Sequence, residues 1–129
     1  GAWYYATKHA VEGFSDCLRL ELKDFGINVV VLEPGLIETG FAKGVETNFP
    51  QESLNGPYKK IVQALLKASA EGGIKGSHPS VIANTVSKIV RVKKPKTRYL
   101  VGKMAKPLVF IRNKFGDRMY DKIIMSQVK

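Results

Sequence analysis

The run Ile27-Asn28-Val29-Val30-Val31-Leu32 constrains this chain more than any other stretch. It is short, β-branched and almost wholly apolar, without the polar alternation of a half-exposed strand. That pattern predicts a parallel strand covered on both faces. Gly26 before it suits the left-handed position that ends a helix, and Pro34 after it stops a strand. A helix is expected over residues 4–25, with Val11, Phe14, Leu18, Leu22 and Phe25 recurring on the covered side and Glu12, Asp16, Arg19 and Lys23 towards the other. On this reading Cys17 is a small core residue and Gly13 marks close packing against another helix. A helix, a tight glycine turn and a buried strand make the closing part of a βαβ unit. Only residues 98–101 offer a second good strand. Two strands do not make a doubly wound sheet, so further residues outside these 129 are expected to complete it.

The first turns of that helix hold Tyr4-Tyr5-Ala6-Thr7-Lys8. Tyr4 and Lys8 are four apart, which puts a phenol and an ammonium on one helical face, a turn from each other. Such a pair can transfer protons. A free phenol ionises near pH ~10, so work near neutrality asks for ~4 kcal/mol. An exposed ammonium supplies ~1 kcal/mol or less, so a sheltered setting and a second positive charge are needed. By itself the pair is more often a packed ring beside a solvated amine.

After the strand comes Glu33-Pro34-Gly35-Leu36-Ile37-Glu38-Thr39, at the carboxyl edge where ligands bind in open α/β sheets. Gly35 permits close backbone approach to a ligand; an ordinary strand-ending turn is the plainer alternative. Residues 40–56 read as loop, with Phe41 and Phe49 either lining an apolar pocket or pinning the loop. Pro57 suits a first helical position, and Tyr58, Ile61, Val62, Leu65, Leu66 and Ser69 share a face of the helix that ends at Gly72-Gly73. The break from Gly72 to Gly76 reads as a hinge; no Gly-Lys-Ser/Thr ending makes it a phosphate loop. Ser77-His78-Pro79 opens a helix over roughly 79–92 with Ile82, Val86, Ile89 and Val90 inward, and His78 reads as a capping or surface residue. Arg98-Tyr99-Leu100-Val101 is a short strand ended by Gly102. Two short helices, 104–115 and 117–128, are split by Gly116, with Met119, Tyr120, Ile123 and Ile124 on one face of the second.

The net charge of +10 is confined to one region. Residues 1–90 carry nine Lys/Arg and nine Asp/Glu, whereas residues 91–129 carry twelve Lys/Arg against Asp117 and Asp121. The basic tail is expected to dock on a pocket or partner subunit, or to touch an anionic membrane surface peripherally; nucleic acid is not an expected partner. No apolar run approaches the ~20 residues of a membrane span. Gly1-Ala2-Trp3-Tyr4 lacks the basic-then-apolar order of a signal peptide, and the absence of an initiator Met makes the chain read as a piece of a longer protein. The single cysteine fits a reducing compartment, hence the cytoplasm. One Cys and two separated His, at 9 and 78, provide no metal site.

Taken in order, Tyr4-x-x-x-Lys8 opening a helix, a buried strand and Pro34-Gly35-x-x-x-Thr39 resemble the second half of a short-chain dehydrogenase/reductase. Residues 1–41, the Ser77-His78-Pro79 helix start and Arg98-Tyr99-x-Val101-Gly102 look most like hydroxysteroid and retinol dehydrogenase-like members. The resemblance implies an α/β fold, the C-terminal half of a Rossmann-type doubly wound parallel sheet with helices on both faces. It divides the chain into a catalytic helix, strand and cofactor loop (1–39), a substrate lobe (40–78), a helix and last strand (79–103) and the basic helical tail (104–129). It implies NADP or NAD as cofactor and a hydride passed between nicotinamide and a secondary alcohol or ketone. Tyr4 would be the acid/base. Lys8 would favour its phenolate, aided by the oxidised nicotinamide's charge, and bind the nicotinamide ribose. Pro34, Gly35, Ile37 and Thr39 would hold the nicotinamide end, and Leu36 and Phe41 would meet an apolar substrate. Helix 4–25 would serve homo-oligomer formation when the domain is complete. The family's glycine-rich pyrophosphate turn, adenosine-ribose selector, Asn-Asn-Ala-Gly motif and catalytic serine all precede the tyrosine and are not in this sequence. The isolated piece is therefore expected to be inactive. The rival expectation is a non-catalytic remnant that acts as a binding or membrane-surface module through its tail.

Overall fold

A computed structural model describes residues 1–40, 44, 47, 51–70 and 75–126. Phe41, Phe49, Gly72 and Gly73 fall outside the described residues. The chain divides into two compact units, Gly1–Pro34 with Ser80–Val101, and Gly35–Pro79 with Gly102–Lys129.

The first unit is an α/β assembly. Helix α1 spans Ala2–Glu21 and passes through a 3-10 turn, Lys23–Phe25. Gly26 then adopts φ 70° and donates its N–H to the Lys23 carbonyl, the left-handed stop its sequence position predicts. Strand β1, Val31–Pro34, lies parallel to β2, Arg98–Val101, with Val31 opposite Arg98 and Pro34 opposite Val101. The pairing starts where Val31 N–H donates to Thr97 O at 2.9 Å. The expected strand over 27–32 is thus shifted: Ile27–Val30 lie ahead of β2's first residue and have no ladder partner there. Helix α2, Lys59–Ala70, belongs to the second unit; α3, Ser80–Ile89, belongs to this one and is prolonged as a turn to Val92.

Helix α1 is rotated from the expected orientation. Leu18 and Leu22 are half-buried, but Phe14 is 67% and Phe25 75% exposed, and Val11 and Cys17 are exposed as well. The covered arc instead carries Glu12, Ser15, Asp16 and Arg19. The cause is ionic. Asp16 receives Arg98 Nη2 and Arg19 Nη1, each at 2.6 Å, and Arg98 Nε reaches Glu33 Oε1 at 3.1 Å. Arg98 and Glu33 share a sheet face, because Glu33 pairs with Leu100 two residues on. One guanidinium therefore ties α1, β1 and β2 together. Among the described residues nothing lies within 4 Å of the position of a Cβ added to Gly13. In α3, Ile82 and Ile89 are half-buried as expected, whereas Val86 and Val90 are exposed.

In the second unit, a 3-10 turn at Gln51–Leu54 leads to α2, Lys59–Ala70, which starts two residues after Pro57. Val62, at 3% exposure, is its packing centre, while Tyr58 and Ile61 are exposed. Helix α4, Ala105–Ser126, contains Gly116 at φ 74°, ψ 177°, which breaks it into the two helices the glycine predicts. Residues 35–38 are clamped between two other segments. Leu36 N–H donates to Lys103 O, Ser77 N–H to Leu36 O and Glu38 N–H to Ser77 O, at 2.8, 2.8 and 2.9 Å. Ser77 Oγ accepts Lys103 N–H at 2.9 Å. Glycines permit this closeness: a Cβ on Gly35 would lie 2.6 Å from Ala105 N, and one on Gly76 2.8 Å from Glu38 N. Gly102 combines φ 87° with Ile37 Cδ1 at 2.7 Å from its Cβ position.

Gly35→Ala should destabilise the protein by about 1–3 kcal/mol through overpacking, whereas Gly13→Ala on the open side of α1 should stabilise it by ~0.5–1 kcal/mol; denaturant titration checks both. Arg98 first, and Arg19 second, hold the Asp16 carboxyl below its ordinary value of 3.8. That contribution to stability is complete above pH 3.8 and is lost as pH falls through the lower folded-state value. Asp16→Asn should therefore lower the thermal midpoint at neutral pH, and its deficit against the parent should close in acid, as read by thermal melts across pH.

Candidate active-site residues

The candidate residues divide between the units at the Pro34–Gly35 peptide: Tyr4, Lys8 and Pro34 lie in the first, Gly35, Leu36, Ile37 and Thr39 in the second. Tyr4 and Lys8 occupy consecutive turns at the start of α1. The Lys8 ammonium stands over the Tyr4 ring, 5.4 Å from its centroid. The ring is 46% exposed and meets the Tyr5 ring edge-on, with centroids 5.6 Å apart. Thr7 Oγ1 donates to the Tyr4 carbonyl at 2.7 Å, and His9 Nδ1 lies 3.0 Å from the Tyr5 carbonyl. Tyr4 and Lys8 share, by the helical repeat, the side of α1 that its later turns cover through Ser15, Leu18, Arg19 and Leu22. The Lys8 ammonium thus faces the Tyr4 ring, and both side chains are exposed. As a donor set they suit a dinucleotide's nicotinamide end: the ammonium offers three N–H donors to ribose hydroxyls and the phenol a transferable proton.

Pro34 ends β1 at its carboxyl edge and is exposed. In the second unit the clamp fixes Gly35, Leu36 and Ile37, with Leu36 exposed, Ile37 half-buried and Thr39 exposed. Gly35's close approach is to the backbone at Lys103 and Ala105, so its lack of a side chain serves the chain's own packing there. Phe41 lies outside the described residues. Four residues that sequence reasoning did not assign to this segment position it: Gly76, Ser77, Gly102 and Lys103. Only the two glycines could have signalled it, and at sequence level they read as a hinge and a strand end.

A cavity of about 150 Å³ sits at the opposite end of β1, lined by Arg19, Lys23, Ile27, Val29, Pro95 and Thr97 among others. No candidate residue lines it. Among the described residues no three His, Cys, Asp or Glu side chains gather as a metal site, and no helix is long and apolar enough to cross a membrane.

Comparison with known proteins supplies the family. The model described as short chain dehydrogenase matches residues 1–49. The chain is 36% identical over 129 residues, 98% of its length, to an NADPH-dependent 3-dehydrocapnine reductase of Ornithobacterium rhinotracheale, and covers 44% of that protein. It is 33% identical over 106 residues, 82% of its length, to a 3-ketodihydrosphingosine reductase of Bacteroides thetaiotaomicron, covering 39% of it. To the oxidoreductase BOA17 of Botryotinia fuckeliana it is 41% identical over 100 residues, with 77% of this chain and 35% of that protein aligned. It thus spans less than half the length of each of these relatives. With Tyr4, Lys8 and the Pro34-to-Thr39 segment inside the matched region, the chain belongs to the short-chain dehydrogenase/reductase family of oxidoreductases.

Proposed function

We propose that this chain carries the proton-transfer and nicotinamide-facing part of an NAD(P)-dependent oxidoreductase that interconverts a ketone and a secondary alcohol on a lipid-like chain. The observation that carries the reading is the Lys8 ammonium over the half-exposed Tyr4 ring. The dinucleotide, when bound, supplies or accepts the hydride. Tyr4 Oη gives its proton to the substrate's carbonyl oxygen in reduction and takes one from the hydroxyl in oxidation. Lys8 supplies positive charge beside the Tyr4 oxygen as that proton leaves, and offers N–H donors to the ribose. Pro34, Gly35, Ile37 and Thr39 would hold the nicotinamide end of the cofactor, and Leu36 and Phe41 would meet an apolar substrate. Two observations favour a lipid-like substrate: the exposed Leu36 within the clamped segment, and the 3-dehydrocapnine and 3-ketodihydrosphingosine named in two relatives. NADPH is the favoured cofactor on the name of one of them.

In the full-length protein, Tyr4→Phe should reduce turnover by about 10²–10⁴-fold, the usual worth of a positioned acid/base, while NADPH binding, followed by its fluorescence, largely survives. Undiminished turnover would refute the assignment. Lys8→Ala should both slow turnover and weaken NADPH binding. A long-chain 3-ketone should be consumed faster than a short-chain ketone in the same assay; equal rates would remove the lipid-like substrate and leave the chemistry standing.

A further inference from the structure

Helix α4 has an exposed surface that the Tyr4 chemistry does not use. In its first half Ala105 is buried and Leu108, Val109 and Ile111 are half-buried, which fixes the covered side. Lys106, Phe110 and Lys114 follow one another at four-residue steps on the opposite side, all exposed. Phe110 is 62% exposed and is steadied by an edge-on contact with Phe115, ring centroids 6.4 Å apart. Beyond Gly116, Tyr120 and Ile123 are half-buried, and Arg118, Lys122 and Met125 line the exposed side at steps of four and three. Of the two carboxylates of this helix, Asp117 is held by Arg112 Nε at 3.0 Å, and Asp121 is exposed, three residues from Arg118 and four from Met125 on the same helical surface. The first half thus presents two cations and one large apolar side chain with no acid among them, and the second presents two cations and Met125 beside Asp121.

We propose that these two stripes dock α4 flat on an anionic membrane surface. Lysine stems lie along apolar surface while their ammonium groups reach out to phosphate or carboxylate headgroups. Phe110 and Met125 enter the boundary between headgroup and acyl chain. Charge complementarity selects this partner, since cationic side chains flanking an exposed ring match a negative surface with an apolar layer beneath it. A nucleic acid would engage the cations but give Met125 nothing to bury against. The left-handed break at Gly116 leaves two pieces of about ten residues, each too short to span a bilayer, which takes ~20. This docking is independent of the role given to Tyr4.

The test is co-sedimentation of the full-length protein with vesicles of phosphatidylcholine alone or with about one-third phosphatidylserine, at low and high salt. Binding is expected only to the anionic vesicles and only at low salt. The double variant Lys106→Glu/Lys114→Glu should weaken it by at least ~25-fold, about fivefold per cation removed. Phe110→Ser should weaken it without altering net charge. Both substitutions fall on exposed positions, so unchanged thermal midpoints would show that the fold is intact. Equal binding to both vesicle types, no vesicle binding by the full-length protein, unchanged binding by the variants, or capture by duplex DNA in place of vesicles would each overturn the proposal.

Discussion

The first unit depends on one guanidinium. Arg98 opens β2, bonds Asp16 on α1 and reaches Glu33 on β1. A two-stranded sheet of four-residue strands has little cohesion of its own, and the described residues of this unit include no fully buried large side chain. What fixes the helix against the strands is therefore geometry set by charge-assisted hydrogen bonds, which are directional where apolar contact is not. Arg98 is suited to this task because its planar fork can address two carboxylates at once, which a lysine could not.

The same interaction explains where sequence reasoning about α1 succeeded and failed. The helix, its glycine stop and the parallel strand after it were all legible, because each rests on a local rule: helical spacing, a left-handed cap, a β-branched run. The helix's rotation was not. Helical periodicity assigns Val11, Phe14 and Phe25 to the covered side by apolarity alone, but the covered arc carries Asp16, which accepts hydrogen bonds from both Arg98 and Arg19. A long-range ion pair across 82 positions leaves no local trace.

The Pro34-to-Thr39 segment shows the complementary case. Its position after the strand was legible from the strand itself. The hydrogen bonds that fix it were not, because Ser77 and Lys103 come from points some 40 and 65 residues further on. Gly35, Gly76 and Gly102 converge on one crowded crossing of three backbones. Read singly they resemble ordinary punctuation; together they are a steric requirement that three distant positions satisfy at once. For Tyr4 and Lys8, by contrast, the four-residue spacing was sufficient, since both side chains belong to the same helical surface.

The pairing of β1 with β2 has a further consequence. Among the described residues, each strand uses one of its two edges in that ladder. The outer margins present backbone donors and acceptors that call for more strands, the geometry that templates unwanted pairing between copies. These 129 residues produced by themselves would meet that demand with one another, as ordered or disordered self-association, unless a complementary polypeptide is supplied to close the sheet.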